Sequence, residues 1–443
     1  MDDMKLTIKG LFGHFDYEIP LYGLSDADSF PVSDGVTILT GPNGYGKTTI
    51  LRMLEAFGMG NLDFFVDLKF QSFSFYQEDS KDRITLEKTR DGFVLSHGAN
   101  TGKLSFDEVQ HYHNVYEDVV QEAATALNGL RESDLEDTFS TLYDQKYGKT
   151  LRRERMPYFE ELMRRYSGFA YKVSVISEQR LLDIQDITAT RNGELLILQQ
   201  VTEAVKYLPG QLKSHFSDVF DRYSETDAQL NASFPSRVLQ QSDDNRLTEE
   251  GFNRLYQDMN DKLRTLQENG LSDAVQRELP AFQADKAGIL RIFFDDFNEK
   301  YKVYEPFVRK LTLFRKILDR RFRRFKRVEI SREYGLRVRD SGGDEIPLEK
   351  LSSGEQETLV LYYQLIFETE RGTMLLIDEP EISLHIAWQR HFIDELKEIV
   401  RLNGLRAVVA THSTSIIGRH RDIQVDLGAL YQDELDRQRA QQG

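Results

Sequence analysis

Gly35-Val-Thr-Ile-Leu-Thr40, running into Gly41-Pro-Asn-Gly-Tyr-Gly-Lys47-Thr48-Thr49, decides the fold of this 443-residue chain. The apolar, β-branched run reads as a buried strand, and the stretch from Thr49 to Phe57 reads as a helix. Between them lies a G-x-x-x-x-G-K-[ST] string, the pattern of a phosphate-binding loop in the setting such a loop requires. Gly41, Gly44 and Gly46 let the backbone curl so that successive N–H groups face phosphate oxygens, and the helix adds its positive N-terminal end. Lys47 is expected to reach the β- and γ-phosphates of ATP, and Thr48 to place its hydroxyl on Mg2+. Asn43 and Thr49 complete the expected nucleotide contacts.

A second string answers the first more than three hundred residues later. Thr373-Met-Leu-Leu-Ile-Asp378-Glu379 reads as an apolar strand ending in two carboxylates, where a parallel sheet presents groups to a ligand. Strand alternation predicts that they point different ways. Asp378 is assigned to the Mg2+ shell and Glu379 to polarising the attacking water. Pro380 ends that strand, a helix is predicted from Ile386 to Val400, and a further strand from Leu405 to Ala410 ends in Thr411-His412-Ser413. A histidine at such a strand end can hydrogen-bond a γ-phosphate or the water attacking it. Upstream, Leu351-Ser352-Ser353-Gly354-Glu355-Gln356 opens a predicted helix running to Glu368, with Ser353 at its cap, offering hydroxyls and free N–H groups suited to an anion.

Taken together, these strings resemble an ABC-type ATPase of the SMC and recombination-repair class. Gly41 to Thr48 correspond to Walker A, Leu351 to Gln356 to the signature motif, Asp378-Glu379 to Walker B, Ser383-Leu-His385 to the D-loop and His412 to the switch histidine. Ile377-Asp-Glu-Pro-Glu-Ile-Ser-Leu-His-Ile-Ala-Trp-Gln389 and Ala410-Thr-His-Ser most resemble the ATPase subunit of Septu-type anti-phage systems and their retron-associated relatives. The resemblance implies an α/β fold: an ABC-type P-loop ATPase head with a mixed sheet and a large helical insertion. It also implies that Ser352, Ser353, Gly354 and Glu355 meet the γ-phosphate held by another copy, giving a head-to-tail dimer sandwiching ATP. Gln179, at the end of the predicted strand Tyr171 to Arg180, resembles the Q-loop glutamine that touches Mg2+ and the attacking water; Gln71 and Gln77 are its rivals. The implied function is an ATPase that dimerises on ATP and regulates or scaffolds a separate nuclease, by resemblance of the HNH type. The alternative is a DNA-repair or DNA-loading ATPase that itself binds nucleic acid.

Composition narrows the rest. Zero cysteines exclude disulfides, thiolate metal sites and cysteine nucleophiles, and they fit a reducing cytoplasm. The nine histidines show no H-E-x-x-H spacing, and His111-Tyr-His113 reads as surface rather than ligand. No segment approaches the roughly 18 apolar residues that span a bilayer, so no membrane contact is expected. Met1-Asp-Asp-Met-Lys does not read as a signal peptide. Residues 1–104 read as an N-terminal lobe with the P-loop, 105–325 as a mainly helical insertion, and 326–443 as a C-terminal lobe with the remaining motifs. Its opening strands are expected at Lys5 to Lys9, Phe15 to Ile19, Asp67 to Tyr76, Arg83 to Lys88 and Phe93 to Ser96. The insertion lacks sustained heptads, which predicts helical subdomains rather than a long coiled-coil arm. A net charge of −16 argues against the whole surface binding nucleic acid. Yet Arg309 to Arg327 gathers ten cations, a candidate DNA or RNA backbone contact, with a second basic group from Arg152 to Arg165. Phe314, Ile317, Leu318, Phe322 and Phe325 recur at helical spacing there and are expected to be core.

Overall fold

The computed structural model describes residues 4–24, 34–77, 83–98, 100–110, 173–176, 182–191, 194–240, 247–272, 278, 280–322, 325–382, 384 and 386–442. In chain order the first elements are β1 (Met4–Leu11), β2 (Phe15–Leu21), β3 (Val36–Thr40), α1 (Lys47–Gly58), β4 (Ser72–Gln77), β5 (Arg83–Lys88), β6 (Gly92–His97), β7 (Asn100–Ser105) and β8 (Val173–Ile176). A two-stranded ladder, β9 (Leu182–Arg191) and β10 (Glu194–Glu203), precedes the helices α2 (Leu208–Leu239), α3 (Glu249–Glu268) and α4 (Ala287–Phe322). Then come β11 (Lys326–Ser331), β12 (Gly335–Asp340), β13 (Glu345–Ile346), α5 (Ser353–Tyr363), β14 (Met374–Asp378), α6 (Ile386–Asn403), β15 (Arg406–Ala410), β16 (Gln424–Asp426) and α7 (Leu427–Gln442). The chain divides into two compact units, one of residues 1–179, 184–200 and 369–443, the other of 180–183 and 201–368.

The first unit holds two sheets. Five parallel strands run in the order β16-β3-β15-β14-β8, and six antiparallel strands in the order β2-β1-β4-β5-β6-β7. β3 and β15 are buried along their whole length, as strands covered on both faces must be, which is why they read as unbroken apolar runs. α1 turns Ile50, Leu51, Met53 and Leu54 into a core shared with Leu39, Leu376 and Val408 and with Leu6, Ile8, Phe73 and Phe75 of the antiparallel sheet. The strand expected from Asp67 starts only at Ser72. Phe64–Asp67 forms a short helix instead, and the Lys88 ammonium donates to the carbonyls of Phe65 (3.1 Å), Val66 (2.5 Å) and Leu68 (2.7 Å) at its end. A cation placed on such unsatisfied carbonyls stabilises the turn.

The second unit is built on the antiparallel pair α2 and α4. Phe216 meets Phe307 edge-on at 5.0 Å, Tyr223 lies 4.8 Å from Tyr304, and Lys300 pairs with Asp227 at 2.5 Å. Arg237 forks onto Asp296, with Nη2 2.8 Å from Oδ2. α3 joins α4 through Phe252, Met259 and Phe294. Pro209-Gly210 does not interrupt the helical region: Pro209 sits in the first turn of α2, where its missing N–H is needed by no one. Phe314, Ile317, Leu318 and Phe322 are buried as expected, but Phe325, past the end of α4, is 71% exposed.

The expected lobe 326–443 is divided between the units at residue 368. The ladder β11-β12-β13 and α5 go with the helices because they are packed on them. A Cβ on Gly335 would stand 2.0 Å from the Pro209 carbonyl oxygen, so the β11–β12 hairpin lies directly on the first turn of α2. Among the described residues no helix is long and apolar enough to cross a membrane.

Candidate functional site

The parallel sheet brings three strand ends into line. Asp378 is in register with Ala410, and Ala410 with Leu39, so β14, β15 and β3 finish at the same level. Hydrogen bonds carry the alignment one residue further: Thr411 N–H donates to Leu39 O (3.1 Å) and Glu379 N–H to Ala410 O (2.9 Å). The P-loop, the paired carboxylates and His412 therefore leave the sheet on the same edge.

The P-loop has the geometry its glycines predict. Gly41, Gly44 and Gly46 take φ of 147°, 85° and 89°, values that L side chains rarely adopt. Gly46 caps α1 and lies where a Cβ would be 3.0 Å from Leu11 Cδ2; substitution there would be both strained and crowded. Lys47 is buried, and its ammonium donates to the Gly41 carbonyl at 2.9 Å and the Pro42 carbonyl at 3.4 Å. Burial pushes this ammonium below its ordinary value, while the carboxylates of Glu379, Asp378 and Glu381 oppose that shift. Asn43, Gly44 and Thr48 are exposed, with Thr49 half-buried, and an added Cβ at Gly44 would meet nothing within 4 Å. Donors lining an open loop fit a polyphosphate, and the exposed Thr48 hydroxyl with Asp378 fits Mg2+, which takes few protein ligands.

Glu379 is turned by its backbone rather than by strand alternation. β14 ends at Asp378, and Glu379 has φ of 43°, a left-handed conformation that costs a non-glycine residue about 1–3 kcal/mol. Its Oε1 lies 3.9 Å from His412 Nε2, longer than a direct hydrogen bond. Both side chains remain about one-third exposed, so a water can reach the pair.

Two groups of residues escaped the sequence reading. Glu381, half-buried beyond Pro380, accepts from Thr411 Oγ1 (2.8 Å), His412 N–H (2.7 Å) and Ser413 N–H (3.0 Å). The only signal for it was a third acid close behind Asp378 and Glu379. The second group braces the P-loop. Tyr17, whose phenol burial pushes upward, donates to the Tyr45 carbonyl at 2.9 Å, and the rings of Phe15, Tyr45 and Tyr431 cluster at 4.9–6.0 Å. Tyr45 lies inside the glycine string and could have been noticed there.

In the second unit the signature segment starts α5. Ser352 is the N-cap and Ser353 the first helical residue, one position off the expected cap. Glu355 reaches back to Ser352 N–H (2.9 Å) and Oγ (2.8 Å), forming a capping box, and Lys326 binds its carboxylate at 2.7 Å. Ser352 and Ser353 are both exposed. Burial opposes charge on Glu355, yet the hydrogen bonds from Lys326 and Ser352 outweigh it and hold the carboxyl below its ordinary value of 4.5. Because the folded value is the depressed one, this contribution to stability is present above pH 4.5 and lost as pH falls through the folded value. The Lys326→Met protein should accordingly be destabilised near neutrality by about 1–2 kcal/mol, with the difference from wild type shrinking on acidification. Denaturant titrations followed by far-ultraviolet circular dichroism, which reports the helices of this unit, at pH 7 and below pH 4 check both points.

Several cations of the Arg309 to Arg327 run are engaged inside the unit. Lys310 is half-buried, its charge disfavoured by desolvation. Arg315 donates to the carbonyls of Glu268 and Ile330, and Arg321 donates to Tyr362 Oη at 2.7 Å while its guanidinium lies 4.5 Å over the same ring. Arg309 pairs with Glu305 at 2.5 Å. Arg315 and Arg321 thus spend donors inside the unit.

Gln179, Ser383 and His385 lie outside the described residues, as do His111, His113 and the basic group from Arg152 to Arg165. β8, which leads toward Gln179, is the edge strand beside β14. The rival Gln71 packs its side chain over Gly10, and Gln77 ends β4 opposite Met4.

The AAA ATPase domain family AAA_15 matches residues 22–417, and the chain belongs to it. No curated protein sequence matches. Among solved structures the chain is similar to an SMC head domain from Thermotoga maritima at 14% identity, covering 94% of this chain and 91% of that one with a TM-score of 0.33. It is also similar to an Smc head domain with an extended coiled coil, bound to the C-terminal domain of ScpA and derived from Pyrococcus furiosus, at 15% identity, 94% and 91% coverage and a TM-score of 0.31.

Proposed function

We propose that this AAA ATPase-domain chain binds and hydrolyses ATP, using one edge of its parallel sheet for the chemistry and a second copy of itself to close the site. The observation carrying this is the shared level of three strand ends, which gathers Lys47, Asp378, Glu379 and His412. The P-loop N–H groups and Lys47 bind the phosphates and neutralise charge on them. Thr48 and Asp378 would hold Mg2+, which would supply further charge neutralisation for the phosphates. Glu379 orients and deprotonates the attacking water, and His412 holds the γ-phosphate side of that water. Each chain has one P-loop and one signature segment, and the exposed Ser352 and Ser353, with the half-buried Gly354, at the start of α5 suit the phosphate of a partner's nucleotide. ATP would then favour the closed dimer and hydrolysis would release it, a two-state switch.

The finer role rests on the motif resemblance: a switch that regulates or scaffolds a separate nuclease, of the HNH type, in anti-phage defence. Direct DNA or RNA binding through Arg309 to Arg327 is the alternative, although Arg315, Arg321 and Lys326 spend donors within the unit. Phosphate release and light scattering with Mg2+ and ATP test the first proposal, with turnover and an ATP-dependent doubling of mass as the expected results. A protein that neither hydrolyses ATP nor changes mass would sink it. DNA affinity measured across salt concentrations separates the alternatives: backbone binding through several cations would weaken steeply as salt rises, whereas no measurable binding is expected.

A further inference from the structure

Five hydrogen-bond contacts tie the stretch after β14 to the segment carrying His412, and the Glu381 carboxylate makes four of them. Its carboxylate accepts from the Thr411 hydroxyl at 2.8 Å on both oxygens, from His412 N–H at 2.7 Å and from Ser413 N–H at 3.0 Å. Gln389 holds the other side: its Oε1 accepts from Ser413 Oγ at 2.7 Å, while its Nε2 donates to the carbonyls of Leu384 (3.0 Å) and Glu381 (3.3 Å). Three consecutive residues, 411 to 413, are thus gripped by two side chains from one stretch of chain. That stretch begins at the left-handed Glu379.

We infer that Glu381 is a positioning residue: its carboxylate clips the Thr411–Ser413 backbone so that the His412 ring stands beside the Glu379 carboxylate. The inference rests on reading Glu379 and His412 as the hydrolytic pair. The physical case is one of degrees of freedom. His412 follows β15 on a strand-end segment with an exposed ring, and nothing in its own sequence fixes where that ring points. Charge-assisted bonds to two successive N–H groups fix the backbone from which the ring projects, and such bonds are roughly twice as strong as neutral ones. Glu379 needs the same support from the other direction, since a strained φ persists only where surrounding contacts over-determine it. A single carboxylate, two residues from Glu379 and bonded to His412 N–H, supports both.

Glu381→Ala should lower kcat by about ten- to a hundredfold, the scale of a small misplacement in an otherwise intact site, with KM for ATP within about twofold of wild type. Glu381→Gln, which keeps an acceptor oxygen at the same reach, should restore most of the rate. In the Glu381→Ala/His412→Ala double variant the losses should not multiply, because both changes remove one unit. Wild-type kcat in Glu381→Ala, or losses that multiply, would overturn the inference. A readout independent of turnover is the His412 ring resonance in nucleotide-free protein, identified among the nine histidines by its disappearance in His412→Ala. It should move in Glu381→Ala and, by less, in Thr411→Val, which keeps the fold should the alanine variant lose it. A resonance unmoved in both, or in Thr411→Val when only that variant folds, would also overturn it. Should the wild-type chain prove not to turn over ATP, the hydrolytic reading falls, while the resonance still decides whether Glu381 positions the histidine.

Discussion

Lys47→Ala is expected to bind ATP at least about a hundredfold more weakly than the wild-type chain. An ammonium contact to a phosphate oxygen contributes roughly 1.5–3 kcal/mol, and two such contacts exceed the 2.8 kcal/mol or so that a hundredfold represents. The residue is well placed for it. Lys47 is only 6% exposed, its Nζ already lies against the loop carbonyls, and burial disfavours its charged form, which a bound anion would favour. The substitution also removes two hydrogen bonds to the Gly41 and Pro42 carbonyls, so a modest loss of stability should accompany it. Calorimetric titration with MgATP, beside a thermal melt of the free protein, separates the two effects. Unchanged ATP affinity would remove the P-loop from the mechanism altogether.

Glu379→Gln should do the opposite: bind ATP as well as wild type and turn it over about 10²- to 10³-fold more slowly, the span ordinarily lost with a general base. Glutamine matches glutamate in shape, so the left-handed turn at this position and the Glu381 clip beyond it are kept. Only the basicity is lost. Light scattering should then show the dimer persisting on ATP rather than relaxing as nucleotide is consumed. Hydrolysis at the wild-type rate would move water activation to another residue, with His412 the nearest basic group at 3.9 Å.

The two large effects fall on residues that could be read directly, and the reason is physical. A P-loop is local chemistry: glycines for positive φ, a lysine at the first position of a helix, an apolar strand before them, all within fifteen residues. Asp378-Glu379 and His412 were legible for a related reason, since a buried parallel strand announces itself as an apolar run and its end is where a ligand-facing group must stand. Glu381 was not legible. Its partners Thr411, His412 and Ser413 lie thirty to thirty-two residues away, and no periodicity encodes a pairing between two loops. Nor could the sequence say which cations of the basic run along α4 are engaged locally: Arg315 and Arg321 spend donors on Glu268, Ile330 and Tyr362.

By itself, then, the string from Gly35 to Thr49 determined a strand, a phosphate loop and a helix, because each depends only on neighbours in the chain. The apolar runs at 373–378 and 405–410 likewise determined which strands carry the acids and the histidine. Tertiary structure decided what those residues do to one another. It aligned three strand ends through ladder hydrogen bonds, set the direction of Glu379 through a left-handed backbone rather than a pleat, and joined β11 to β13 and α5 to the helical unit. Each of these depends on partners distant in sequence, whose approach is fixed only when the sheets and helices pack.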